Sequence, residues 1–198
     1  MIIGLTGNIA SGKTTIANIL HETYHFPIID ADLIARKVVE PGEMALSQLV
    51  DIFGEEIVLD NGELNRAKLG KIVFQDDAKR QQLNNIVHPA IRKRMVEEKD
   101  KLLDEGYKHI VMDIPLLFEN KLTYLVDKTL VVYTKEEIRL QRLMKRNGFT
   151  EEEARNRMNA QMDAEEKKKL ADEWIDNSGS KSSSKEQLET ILEKWSLK

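Results

Sequence analysis

Cysteine is absent from the 198-residue chain, which excludes disulfides, thiolate metal sites and a cysteine nucleophile. Proline is scarce, with four residues, and there are ten glycines. Glu, Lys, Leu and Ala are common instead, so helix should dominate. No apolar run approaches the ~18 residues a transmembrane helix needs. The opening Met1-Ile2-Ile3-Gly4-Leu5-Thr6-Gly7 lacks the basic start and long apolar stretch of a secretory signal. A soluble cytoplasmic protein with no membrane partner is therefore expected. Neither sign of charge dominates: 30 Lys and Arg stand against 34 Asp and Glu, for a formal net charge of −4. That balance argues against a nucleic-acid binder by bulk charge and against an acidic disordered tail. What is present is 41% apolar residues, enough for the packed core of one ordinary domain with room for a small insertion. A monomer is the expected state.

Five short runs are apolar throughout or nearly so: Ile2 to Leu5, Phe26 to Ile29, His109 to Met112, Thr129 to Tyr133 and Glu173 to Ile175. Such runs suit strands buried on both faces, as in a parallel sheet, and helical patterns separate them in the rhythm of a doubly wound α/β fold. The spacing is uneven. Between Asp30 and His109 there is no convincing strand, while Leu33, Ile34, Val38 and Val39, then Ala45, Leu46, Leu49, Val50 and Phe53, recur at helical intervals. A crossover needs far less chain than this. Residues 33–103 are therefore read as an inserted helical domain and 139–169 as a second helical excursion, on a core of 1–32, 104–138 and 170–198. Asp60-Asn61-Gly62 marks a tight turn, and Ser178 to Ser184 a loop ending in the N-cap of a last helix.

Gly7-Asn8-Ile9-Ala10-Ser11-Gly12-Lys13-Thr14 fits G-x-x-x-x-G-K-[ST] at every fixed position, with a strand leading in and a helix-prone run leading out. That context separates a phosphate-binding loop from a chance match. Backbone N–H groups from Ala10 through Ser11, Gly12, Lys13 and Thr14 to Thr15 should form a concave nest at a positive helix end, where a polyphosphate binds. Lys13 sets a cation near the β- and γ-phosphates, Thr14 offers a hydroxyl to Mg²⁺, and Thr15 a further phosphate contact. Asp113 ends an apolar strand where a carboxylate can stand beside the metal. Asp30 and Asp32 follow the second strand. Asp30 is expected to cap the next helix, and Asp32 to accept the proton of an attacking hydroxyl. Arg139, Arg142 and Arg146 share one helical face, with Arg155 and Arg157 beyond the Asn147-Gly148 turn. They are either a solvated basic face or a mobile lid whose guanidinium groups neutralise a transferring phosphoryl group.

The chain resembles the dephospho-coenzyme A kinases. The resemblance is carried by Leu5 to Thr15, Asp30 to Arg36, His88-Pro89-Ala90-Ile91, Asp113 to Glu119 and Arg157-Met158-Asn159-Ala160-Gln161. It implies a three-layer P-loop fold with a five-stranded parallel sheet, an inserted helical substrate domain and a helical lid. The implied activity is transfer of the γ-phosphate of ATP, with Mg²⁺, to the ribose 3′-hydroxyl of dephospho-CoA, the last step of coenzyme A synthesis. The resemblance puts Asp32 by the acceptor hydroxyl. It puts His88, Leu116, Leu117, Glu119, Arg157 and Gln161 on the acceptor side, Arg142 among the lid residues, and Asn177 to Gly179 near adenine. Without it, His88 reads as a helix-start residue before Pro89, and Leu116, Leu117 and Phe118 as core. The family usually has glycine where Asn8 and Ala10 stand and serine where Thr14 stands. Position 10 is expected not to need positive φ. Asn65-Arg66 stands where Asp-Arg is more usual. The first two motifs also fit nucleotide or shikimate-type kinases and nucleotide-dependent switches. There is no Asn-Lys-x-Asp guanine signature, and the arginines favour transfer.

Overall fold

The computed structural model describes residues 1–197 and contains both strands and helices. They run in the order β1 (Ile2–Gly7), α1 (Lys13–Tyr24), β2 (Ile28–Asp30), α2 (Ala31–Lys37), α3 (Met44–Phe53), α4 (Arg66–Phe74), α5 (Asp77–Asp104), β3 (Ile110–Asp113), β4 (Lys128–Tyr133), α6 (Glu136–Asn147), α7 (Glu151–Asn159), α8 (Ala164–Leu170), β5 (Glu173–Asp176) and α9 (Lys181–Lys194). Two compact units result: Met1–Ile29 together with the chain from Leu102 onward, and Asp30–Lys101.

The strands form one five-stranded sheet in the order β2-β3-β1-β4-β5, and β3, β1, β4 and β5 pair in parallel. Alternation along β1 explains its two faces. Ile3 and Leu5 join Val111, Leu130, Val132 and Ile175 in a core closed by Ile16, Ile19 and Leu20 of α1 and Leu188, Ile191 and Leu192 of α9. Gly4 faces the other way, where a Cβ would lie 3.0 Å from Leu117 and Val126 side chains. On that same face the Thr6 hydroxyl donates to the Pro115 carbonyl at 3.0 Å. The strand ends fall within a residue or two of the apolar runs, because a run marks burial and the ladder extends to wherever backbone partners continue. The serine-rich stretch turns helical early: Ser180 is the N-cap and accepts from the Ser183 N–H at 3.1 Å.

The second unit is helical apart from a bridge between Val58 and Leu64 that flanks the Asp60-Asn61-Gly62 turn. Asp30 caps α2, its Oδ1 accepting from the N–H groups of Asp32 at 2.8 Å and Leu33 at 3.0 Å. Asn65 caps α4, accepting from the Lys68 N–H at 3.0 Å. This explains why an amide serves where a carboxylate is more usual, since both accept equally well from a helix's first turn. One expectation from the residues alone is corrected: His88 does not start a helix, because α5 runs unbroken through Pro89. The ring removes one backbone donor and crowds the preceding turn, so packing of α5 within its unit overrides the local preference. Asn65→Ala should lower the stability of the chain by about 1 kcal/mol, while Asn65→Asp should be near neutral. Denaturant titration followed by circular dichroism checks this, and equal effects from both would count against the cap.

Candidate phosphate-binding site

The loop after the central strand β1 is turned by two left-handed residues. Gly12 has φ 85° and ψ 22° and caps α1 with no side-chain hydrogen bond. Its form is enforced as well as permitted, since a Cβ there would collide with the Asn177 amide. Ala10 has φ 63°, which corrects the expectation for this position. The left-handed region costs an alanine about 1–2 kcal/mol, and it persists only where the surroundings determine it. Within the loop the Ser11 N–H bonds the Asn8 carbonyl at 3.0 Å and the Thr15 N–H bonds the Gly12 carbonyl at 2.9 Å. Those two amides close the turn and do not join the expected nest. That leaves the N–H groups of Ala10, Gly12, Lys13 and Thr14 as the loop's candidate donors, at a helix end that carries partial positive charge.

Lys13 is ion-paired with Asp113, the last residue of β3. Both side chains are largely withdrawn from solvent, while Thr14 is exposed. A carboxylate tied to the loop lysine, with a hydroxyl on the next residue, is a hard-oxygen donor set. It fits Mg²⁺, which takes one or two protein oxygens and completes its shell with phosphate and water. Among the described residues no cluster of three or more His, Cys, Asp or Glu could hold a metal by itself.

Behind the loop, Asn177 works as a strut. Its Nδ2 donates to the Ser11 carbonyl at 2.8 Å, its Oδ1 accepts from the Ser184 hydroxyl at 2.7 Å, and its carbonyl accepts from Arg142 Nη2 at 3.0 Å. Thr134, at the end of β4, also donates to the Ser11 carbonyl, at 2.9 Å. Arg142 is thereby brought to the loop. Arg139 is buried beside it, donating from Nε to the Thr134 carbonyl at 3.1 Å. Arg146 is exposed and bonds its neighbour Asn147 at 2.8 Å, so the arginine face runs from core to solvent. Arg157 stacks on Phe149, 4.4 Å from the ring centroid, and Arg155 pairs with Glu151 and Glu136. Gly179 lies in open space.

Of the acceptor-side residues in this unit, Leu116 is exposed, whereas Leu117 is fully buried against Gly4. The Leu117 side chain faces the sheet. Glu119 forms an ion pair of 2.9 Å with Lys167, whose side chain has 0% exposure and also reaches the Pro115 carbonyl at 3.1 Å. The Glu119 Oε2 is buried with no hydrogen-bond partner among the described residues. Gln161 accepts from the Ile9 N–H at 2.7 Å, so its amide oxygen is engaged with the loop. Sequence reading missed Asn8, Thr134 and Lys167. Lys167 sits in a run of three lysines that reads as a solvated face, and only its place on α8 turns it inward. Thr134 carried a weak signal, as the residue just past an apolar strand.

The second unit holds the other two site residues. With Asp30 acting as the cap, the Asp32 carboxylate stands exposed on the first turn of α2. His88 lines an apolar cavity of about 310 Å³ among Leu49, Leu69, Val87 and Ile91, with Arg66 also on its wall. Burial, and secondarily the Arg92 guanidinium, hold its imidazole below the ordinary histidine value, which favours the neutral ring.

The family model described as CoaE: Dephospho-CoA kinase matches residues 1–183. A dephospho-CoA kinase of Oceanobacillus iheyensis is 53% identical over 197 residues, covering 100% of this chain and 98% of that protein. Among solved structures, a Thermus thermophilus protein shares 36% identity with a TM-score of 0.82, covering 98% of this chain and 97% of that one. The dephospho-CoA kinase from Campylobacter jejuni shares 31% identity with a TM-score of 0.73, covering 98% of this chain and 96% of that one. For the buried ion pair, Lys167→Met should destabilise the chain by about 3 kcal/mol, because it strands the Glu119 charge. The joint change Lys167→Met with Glu119→Leu should lie closer to the parent. Thermal denaturation of the three proteins decides, and a neutral single variant would refute the pairing.

Proposed function

We propose that this chain, which belongs to the dephospho-CoA kinase family, transfers the γ-phosphoryl group of ATP to the ribose 3′-hydroxyl of dephospho-CoA. The products are ADP and coenzyme A, and the reaction is the last step of coenzyme A synthesis. The observation that carries the reading is the amide cradle: an uncapped helix start behind left-handed Gly12, with Lys13 at its mouth. Family membership supplies the acceptor.

ATP docks on Gly7 to Thr15, its phosphates taking the N–H groups at the start of α1. Lys13 exchanges the Asp113 carboxylate for phosphate oxygen, an exchange of one charge-assisted contact for another. Thr14 and Asp113 would hold Mg²⁺, which when bound draws charge from the β- and γ-phosphate oxygens. Arg142, tethered at Thr134 and Asn177 beside the loop, faces the nucleotide and neutralises the transferring phosphoryl group. Arg146, with Asn177 and Gly179, borders the nucleotide side. The exposed Asp32 carboxylate orients the 3′-hydroxyl and takes its proton as the oxygen attacks phosphorus. Its availability follows from Asp30 supplying the helix cap. His88, Leu116, Glu119, Arg157 and Gln161 belong to the acceptor side, with residues 33–103 holding dephospho-CoA and 139–169 closing as a lid. Positioning and electrostatics account for most of the rate.

We read the working form as a cytoplasmic monomer acting on two small molecules, with no nucleic-acid or membrane partner. The net charge of −4 argues against a nucleic-acid partner by bulk charge, and among the described residues no helix is long and apolar enough to cross a membrane. The test is ATP-dependent conversion of dephospho-CoA to coenzyme A, run beside a panel of nucleotides and shikimate as acceptors. Lys13→Ala should reduce turnover by roughly 10²–10³. Asp32→Asn should depress kcat while leaving the KM for ATP near the parent value. Near-normal turnover without Lys13, or preference for another acceptor, would overturn the assignment.

A further inference from the structure

The strained Ala10 lies between residues that are tied from outside the loop. On its N-terminal side, the Asn8 Nδ2 donates to the Met162 carbonyl at 2.7 Å and the Ile9 N–H donates to Gln161 Oε1 at 2.7 Å. Both partners sit in the short connection between α7 and α8. That connection is itself fastened from beneath, since the Met162 N–H donates to Glu119 Oε1 at 3.3 Å and Glu119 is held by the buried Lys167. Asn8 is itself buried, so its amide has no water to turn to. A left-handed alanine reverts to an ordinary conformation when its neighbours are free to follow, and the two tethers on residues 8 and 9 prevent that.

We infer that Gln161, with Asn8, is a positioning residue that holds Ala10 left-handed and so keeps the amide cradle open for nucleotide. This rests on the reading of the loop as the ATP cradle, and it assigns Gln161 a role toward the loop that the acceptor-side expectation does not contain. Gln161 need not touch ATP. Removing its oxygen frees the Ile9 N–H, and the loop can relax through Ala10 into a form whose amides no longer converge.

The experiment is a double-mutant cycle between Gln161→Ala and Ala10→Gly, read by calorimetric titration with MgATP and by KM and kcat. Gln161→Ala should raise the Kd for MgATP roughly tenfold, the factor matching the penalty of a left-handed alanine, with a smaller change in kcat. Ala10→Gly alone, which keeps the backbone N–H, sets the baseline of the cycle. Placed in the Gln161→Ala chain it should restore most of the affinity, because glycine adopts the conformation unaided. Gln161→Glu, which keeps the acceptor oxygen, should raise the Kd for MgATP less than Gln161→Ala does. Should Gln161→Ala fail to fold, Asn8→Gly in the same cycle reads the other tether. Unchanged affinity in the tether variants, or a loss that Ala10→Gly does not repair, would overturn the inference. A parent chain that binds MgATP but does not phosphorylate dephospho-CoA would instead overturn only the proposed function.

Discussion

Everything in the nucleotide half of this molecule depends on a helix whose N-cap offers its first turn no side-chain acceptor. Helix starts are ordinarily closed by a side chain, as Asp30, Asn65 and Ser180 close α2, α4 and α9 here. At α1 the capping position is a left-handed glycine that offers no such group. The open amides are a cost in the absence of ligand, and the fold bears it because the loop has no freedom to collapse. Asn177 fills the space behind Gly12, and Thr134 and Asn177 both clamp the Ser11 carbonyl. An anion can therefore be received by dipoles that are already aimed, with little reorganisation.

A second polar layer fixes the pieces around that loop. The Pro115 carbonyl accepts from both Thr6 and Lys167, and Lys167 in turn holds Glu119. These contacts tie the segment after β3 to β1 on one side and to α8 on the other. The network is a scaffold of charge-assisted bonds within a low-dielectric interior, where partners reinforce one another and an unpaired member is costly. Asp113, at the end of β3, pairs in register with Leu5 of β1 and reaches Lys13 at the start of α1.

The sheet and the loop were legible from the chain because both depend on short, local signals. Continuous apolar runs announced the buried strands, and the glycine and lysine spacing announced the cradle. The cap on α2 was legible too, since Asp30 sits where a helix must begin. What escaped was set by tertiary packing. Ala10 adopts φ 63° against its own preference because Gln161 and Met162, distant in sequence, restrain residues 8 and 9. Leu117 belongs to the core because β1 presents a glycine opposite it. Lys167 lies buried although its neighbours Lys168 and Lys169 do not, and α5 passes through Pro89 where local rules would begin a helix. None of these is encoded within a window of a few residues. The resemblance to dephospho-coenzyme A kinases named the acceptor, which neither spacing nor periodicity could have supplied.

The most direct test of the account is a crystal structure of the chain with Mg²⁺, a non-hydrolysable ATP analogue and dephospho-CoA. Phosphate oxygens should lie at about 2.9 Å from the main-chain nitrogens of Gly12, Lys13 and Thr14, with Lys13 released from Asp113 and the ribose 3′-oxygen in line with the γ-phosphorus. A nucleotide bound elsewhere, with the Lys13–Asp113 pair intact and the cradle vacant, would contradict it.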